Sequence, residues 1–299
     1  MLRSRTKSAF LHASIQLYGE LRPNLIRDAK KILEIIPPDG RRREELVDGT
    51  TFASDAEQEL AAYRKQHPGF DATVELREDI AAGLQVSRGK LLVARDGRFP
   101  ASRVRALIHH EVGTHLVTYF NGRHQRLRQL ASGLAGYERL QEGLAVLAEY
   151  LAGGLSAHRM RVLAGRVIAV DSLVKRASFV ETFRLLVDEH GFSGRSAFLI
   201  TLRVYRGGGF TKDAIYLDGL DGLLQYVAEG RPLEQLYIGK IGFSQVEAVA
   251  ELERRGFFQP MRHRPSYLDE DGPKARLEAL KKGKTGLDLA AELVQEANV

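Results

Sequence analysis

No cysteine occurs anywhere in the 299-residue sequence. That absence excludes disulfide cross-links, cysteine-ligated zinc and thiol nucleophiles. Long apolar runs are missing as well. No segment approaches the roughly 20 consecutive apolar residues that a membrane-spanning helix requires, so no membrane partner is expected. The opening stretch, MLRSRTKSAFLHASIQLYGE, has basic side chains but neither a continuous apolar core nor a small-residue cleavage site. It reads as the start of an amphipathic helix rather than a signal peptide, and a cytoplasmic protein is expected. Also lacking are zinc-finger spacing, an aromatic RNP motif and a Lys/Arg block of the kind that grips nucleic acid. The formal charge of +6 comes from 44 Lys+Arg interleaved with 38 Asp+Glu. Such spreading describes a solvated surface, and no nucleic-acid partner is expected. There is no internal repeat or low-complexity tract.

What is present is mostly helical periodicity. Leu25, Ile26, Ala29, Ile32, Leu33 and Ile36 fall on one helical face within 21–36, and Pro37-Pro38 ends that rhythm. Residues 39–54 are polar and contain glycine, which predicts a loop. A helix over 55–67 follows, stopped by Pro68-Gly69. Two strand candidates come next, 72–77 and 84–93, the latter with a turn at Ser87-Arg88-Gly89. From Pro100 onward helices are expected over 101–115, 137–151, 157–188, 194–204, 212–228 and 244–255, with glycine breaks at Gly153-Gly154 and Gly207-Gly208-Gly209. The fold class read from this pattern is α+β: one mostly helical domain over residues 1–265 with a small β-sheet. Its parts are a helical N-terminal part (1–70), a small sheet (71–95), metal-site helices (100–152) and a helical C-terminal part (156–260). A C-terminal tail, 266–299, is expected to be helical or loosely attached.

The sharpest segment is Ile108-His109-His110-Glu111-Val112-Gly113-Thr114-His115. It resembles the HExxH helix of zinc peptidases with one extra residue between the histidines. At 3.6 residues per turn, positions i and i+4 lie about 40° apart, whereas i and i+5 lie about 140° apart, too divergent to share an ion. His110 and His115 can therefore converge only if the helix is locally widened. A π-type bulge absorbs one residue, and Gly113 eases such a distortion sterically. A straight α-helix through 108–115 would sink this reading. Zinc takes about four ligands and a catalytic site leaves one for water, so a third protein ligand is required. Glu142 is the best candidate, a carboxylate opening the apolar stretch LAVLAEYLAG, where burial is costly unless the acid is paired or bound to a cation. Glu149, seven residues on, and Glu138, one turn earlier, are alternatives. His109 points away from His110 as a neighbouring group, and His124 lies in a polar loop. Taken singly, each has an ordinary reading: a core or surface histidine, or an acid favoured by a helix dipole.

HEVGTH followed by LAGYERLQEGLAVLAEYLAGGLS, together with GFTKDAIYLDGL at 209–220 and SAFLHASIQLYGE near the start, resembles the tyrosine carboxypeptidase family that includes the microtubule-associated enzymes. It resembles most the bacterial branch known by its QEGLA motif and by modulation of flavohemoglobin expression. The resemblance covers roughly residues 5–260. It implies a zincin-like metallopeptidase domain with Zn2+ held by His110, His115 and Glu142, and Glu111 as the catalytic base. The eukaryotic relatives remove a terminal tyrosine from tubulin, but a substrate does not transfer with a motif.

The expected activity is zinc-dependent metallocarboxypeptidase hydrolysis of the C-terminal peptide bond of a protein or peptide, with a Tyr-like preference. Tyr216 is the candidate second donor to a developing oxyanion. A free C-terminal carboxylate calls for a cation, and Arg203, Arg206 and Lys212, around a glycine-rich segment, are the candidate substrate-binding residues. Two other readings predict metal equally: a zinc hydrolase of another amide substrate, and a metal-stabilised regulatory or binding protein. A set of two histidines and one carboxylate also suits Fe(II).

Overall fold

The computed structural model describes residues 7–38, 44–67, 69–80 and 83–297. The helix expected at the N-terminus is observed from Lys7; its first six residues, the expected loop residues 39–43 and the helix stop at Pro68 lie outside the described residues. In chain order the elements are α1 (Lys7–Tyr18), α2 (Pro23–Ile35), β1 (Leu46–Asp48), α3 (Gly49–Gln66), β2 (Thr73–Arg77), β3 (Leu84–Ser87), β4 (Lys90–Ala94) and β5 (Arg98–Pro100). Then come α4 (Val104–His110), a π-helical segment (Glu111–Leu116), α5 (Val117–His124), α6 (Gln129–Ser132), α7 (Tyr137–Leu151), α8 (Ala157–Val174), α9 (Phe179–Arg184) and α10 (Gly194–Tyr205). The chain closes with α11 (Ile215–Ala228), α12 (Val246–Arg254), α13 (Asp271–Leu280) and α14 (Gly286–Glu296). The class is α+β and mostly helical, as expected. Among the described residues no helix is long and apolar enough to cross a membrane.

These elements form two compact units, each assembled from separated stretches. The first comprises Met1–Arg42, Ser156–Gln225 and Lys284–Val299; the second comprises Arg43–Leu155 and Tyr226–Gly283.

In the first unit α8 is the hub, touched by α2, α10 and α14. α2 starts with proline in its first turn, where a missing N–H costs nothing. It buries Leu25, Ala29, Ile32 and Leu33, one helical stripe. Its last carbonyls are satisfied from α8: the buried Arg161 donates from Nη1 to Leu33 O (2.9 Å) and to Ile36 O, and from Nη2 to His190 O, with its guanidinium 4.8 Å above the Phe192 ring. A charged group is thereby buried with its donors used on orphan helix-end carbonyls. The single helix expected over 157–188 is interrupted. Arg176 is left-handed (φ 69°), and Ser178 with Glu181 forms a capping box that starts α9 afresh.

The second unit holds both sheets. β3 and β4 are an antiparallel hairpin, Leu84 opposite Val93 and Ser87 opposite Lys90. Arg88 and Gly89 both take positive φ at its turn (49° and 83°), as a two-residue hairpin loop demands. β2 joins β4 in parallel, giving the order β2-β4-β3. Two further strands were not anticipated: β1 pairs antiparallel with β5, Val47 opposite Phe99. Three residues each is too short for alternation to show in a sequence. The loop expected over 39–54 is likewise shorter than read, because Asp48 caps α3 by accepting from the Thr51 N–H (2.8 Å).

The segment after 265 is helical. α13 belongs to the second unit and α14 to the first, and both are anchored by buried Pro273, Leu280, Leu289, Ala290 and Leu293.

One buried group in the second unit gives a pH prediction. Asn121 grips the backbone around His263, accepting from the His263 N–H and donating to its carbonyl, each at 2.8 Å. The His263 ring is fully buried beside Phe70, His67 and His124, with both ring nitrogens lacking hydrogen-bond partners. Burial, then the positive fields of His67, His124 and Arg262, push it down to about 4. Between pH 6.5 and 4 the unfolded chain thus binds a proton that the fold refuses, so stability is present above that window and is lost as pH falls through it. The slope is about 1.4 kcal/mol per pH unit for one proton. His109, also pushed to about 4 by burial, adds a second contribution. In urea unfolding from pH 6.5 to 4.5, His263→Phe is expected to remove one proton's worth of slope; an unchanged slope would show that His263 is protonated in the native state.

Candidate metal centre

The segment that sequence spacing required to be irregular is irregular. α4 ends at His110, residues Glu111–Leu116 form a π-helical stretch, and α5 resumes at Val117. The extra residue of the HExxxH spacing is absorbed there, and it brings the His110 and His115 rings to 5.1 Å between centroids, nearly perpendicular at 82°. Gly113 sits in the middle of the stretch, where a Cβ would meet the Tyr267 ring at 3.3 Å. A Cβ there would require a shift of a few tenths of an ångström from that fully buried tyrosine, whose hydroxyl hydrogen bonds with that of Tyr237 (2.6 Å).

α7 supplies the third donor. All residues from Leu140 to Leu151 are buried, so this helix is enclosed on every side and its polar positions need specific reasons. Each has one. Gln141 accepts from the Thr118 hydroxyl of α5 at 2.8 Å. Glu142 places Oε2 3.8 Å from His115 Nε2. Glu149, fully buried, accepts from His110 Nδ1 at 2.8 Å and from Arg103 Nη2 at 2.7 Å. One ligand atom from each of His110, His115 and Glu142 lies within 4.8 Å of the others, a group that could hold a metal ion.

The donor set fits such an ion on its own chemistry. Glu149 takes the proton side of His110 at Nδ1, which leaves Nε2 as the lone-pair donor. Burial disfavours the His110 imidazolium, but the Glu149 hydrogen bond and the carboxylates of Glu111, Glu149 and Glu142 outweigh it and raise His110 above its ordinary value. Several carboxylates around two imidazoles make a pocket that calls for a cation. Imidazole and carboxylate donors in a largely buried site suit zinc or another borderline divalent metal.

Glu111 is outside that group of three yet beside it, with Oε1 3.9 Å from His110 Nε2 and a side chain only 12% exposed. His109 faces the other way, its ring 5.2 Å from that of Tyr267. Of the two alternative ligands, Glu149 is the partner of His110 rather than a member of the triad, and Glu138 stands in the first turn of α7.

The remaining candidates belong to the first unit. Arg203, in α10, is held in a bidentate pair by Asp213 (2.8 and 3.0 Å). Arg206 lies over the Phe210 ring at 6.0 Å in a short 3-10 turn. Lys212 opens the turn that leads into α11, and Tyr216 is half-buried beneath the Arg166 guanidinium. Sequence reasoning missed Arg103 and Arg166; neither sits in a motif, and only the fold shows what each faces.

The family model described as microtubule-associated tyrosine carboxypeptidase matches residues 1–284. No curated protein gives a significant match. Among solved structures, a chain described as a lipoprotein from Colwellia psychrerythraea is similar at a TM-score of 0.48 and 13% identity. That alignment covers 97% of the present chain, which spans 55% of the other.

Proposed function

Because this chain belongs to the microtubule-associated tyrosine carboxypeptidase family, we propose that it is a zinc-dependent metallocarboxypeptidase of zincin-like architecture. It would hydrolyse the C-terminal peptide bond of a protein or peptide, with a preference for an aromatic, Tyr-like terminal residue. One observation carries the reading: the π-helical segment gathers His110 and His115 with Glu142 and leaves Glu111 beside them, outside the ligand group.

His110, His115 and Glu142 would hold the ion. When bound, zinc supplies Lewis-acid polarisation of a carbonyl and lowers the pKa of water towards about 7. Glu111 takes the proton from the attacking water and returns it to the leaving amine, the double duty of a general base and acid. Its near-burial keeps bulk water from competing for that proton. Glu149 holds the His110 ring in the tautomer that presents Nε2. Tyr216 is the proposed second donor to the developing oxyanion, and Arg203, Arg206 and Lys212 are the proposed source of positive charge for the substrate's carboxylate.

The direct test pairs metal analysis with peptide cleavage. The native protein is expected to carry about one zinc per chain, lost in His110→Ala/His115→Ala. It is expected to shorten peptides with a free C-terminus and to spare the same peptides amidated. No metal after zinc is offered at neutral pH would remove the catalytic basis, and equal cleavage of amidated peptides would replace the exopeptidase by an amide hydrolase of another kind.

A further inference from the structure

Arg166 is the least satisfied charge among the described residues of the first unit. It projects from α8 with 9% of its surface exposed, and its Nε is buried with no hydrogen-bond partner. The nearest carboxylate oxygen, Asp213 Oδ2, stands 3.8 Å away, too far for a hydrogen bond. Each Asp213 oxygen instead accepts from the fork of Arg203, which orients the carboxylate towards Arg203. Around this one buried carboxylate act Arg166, Arg203 and Arg206, and Arg159 adds its field at Arg166. The cluster has a clear excess of positive charge. Burial, with repulsion from Arg203 and Arg159, drives Arg166 down to about 10 in spite of Asp213. Its guanidinium lies over the Tyr216 ring, 5.4 Å from the centroid, which fixes the plane of the head group while leaving its hydrogen-bonding edge to another partner.

A guanidinium carries five N–H donors in a planar fork. Burying one with so few acceptors is costly, and a two-oxygen anion is the ligand that restores the balance by paired N–H···O bonds. We infer that the first unit contains an oxyanion-binding site whose principal donor is the Arg166 guanidinium, seated on Tyr216 and flanked by the Arg203–Asp213 pair. The ligand is a carboxylate or phosphate group. A peptide's chain end is one source of that chemistry and free phosphate is another. The site stands without the peptidase reading, since no metal ligand contributes to it.

The test is calorimetric titration of the full chain with N-acetyltyrosine, N-acetyltyrosinamide and inorganic phosphate, repeated on Arg166→Lys and Arg166→Gln. An oxyanion is expected to bind at least ten-fold more tightly than the neutral amide. Arg166→Lys, which keeps the charge but loses the fork, is expected to weaken that binding about ten-fold, and Arg166→Gln to abolish it. Arg166→Lys guards against a variant that fails to fold, and the comparison of acid with amide on the unaltered chain needs no variant at all. Phosphate binding without N-acetyltyrosine binding upholds the site and identifies its ligand as phosphate. Equal affinity for the acid and the amide with no phosphate bound overturns the inference, as does unaltered oxyanion affinity in a folded Arg166→Gln. Peptide hydrolysis with unchanged KM in Arg166→Gln, together with phosphate and N-acetyltyrosine affinities unchanged in that variant, would leave the peptidase reading standing while this site falls.

Discussion

Turnover of a C-terminally free peptide is expected to fall by about 10²- to 10⁴-fold in Glu111→Gln, the usual worth of a positioned general base, while the protein keeps its metal. The reason is the division of labour at the π-helical segment. Glu111 begins the segment and His115 lies near its end, so the same distortion that makes the histidines converge swings the Glu111 carboxylate to the ligand side, 3.9 Å from His110 Nε2. It remains outside the three-residue group. Glutamine matches glutamate in size and occupies the same space, but it cannot accept a proton at the pH of the reaction. The loss should therefore fall on kcat, with KM and zinc content close to those of the unaltered protein. Steady-state kinetics beside metal analysis decide the matter. Loss of zinc together with activity would make Glu111 a ligand, and activity that survives would move the base elsewhere.

The metal centre was legible in the sequence for a geometric reason. Two histidines separated as i and i+5, with four residues between them, cannot share an ion on a regular helix, so the spacing itself demanded a π-type irregularity, and one is present over Glu111–Leu116. α7, Tyr137–Leu151, was legible because of its largely apolar stretch LAVLAEYL, bounded by Gly153-Gly154. The hairpin of β3 and β4 was legible from Arg88-Gly89 at its turn. Elsewhere the sequence held signals that periodicity overrode. Ser178-x-x-Glu181 is a capping box in plain view, yet the apolar rhythm of 157–188 ran through it and one helix was read where α8 and α9 stand. β1 and β5 could not have been found, since each exists only by pairing with a partner some fifty positions away. Glu149, an alternative ligand by spacing, lies on the expected helix face but outside the group of His110, His115 and Glu142. Spacing places it near the histidines, and only the fold shows that it faces His110 Nδ1 and Arg103 rather than joining the ligands. Arg166 gave no signal at all, because a buried arginine is indistinguishable from a solvated one until its surroundings are known.

Removal of that Glu149 carboxylate is the second large effect. In Glu149→Ala the metal affinity is expected to drop by about 10- to 100-fold, the usual result of deleting the carboxylate that orients a ligating histidine. Stability of the metal-free protein is expected to fall by about 3–5 kcal/mol, the cost of breaking a buried ion pair from one side. Both effects have the same origin. The Glu149 side chain is fully buried, and its two oxygens serve two different groups: Oε1 accepts from His110 Nδ1 at 2.8 Å and Oε2 from Arg103 Nη2 at 2.7 Å. Alanine takes away the acceptor that fixes the His110 tautomer and, at once, the counter-charge of an arginine whose side chain is only 18% exposed. Glu149→Gln separates the two roles. Its amide oxygen can still accept from His110, whereas its amide nitrogen faces the Arg103 donor and no negative charge remains. Most of the stability loss should persist in this variant, while the affinity loss should be smaller than in Glu149→Ala. Chelator competition measures the affinity and urea unfolding of the apo-protein measures the stability. Equal metal affinity in all three proteins would show that His110 is oriented by the packing around it and not by Glu149.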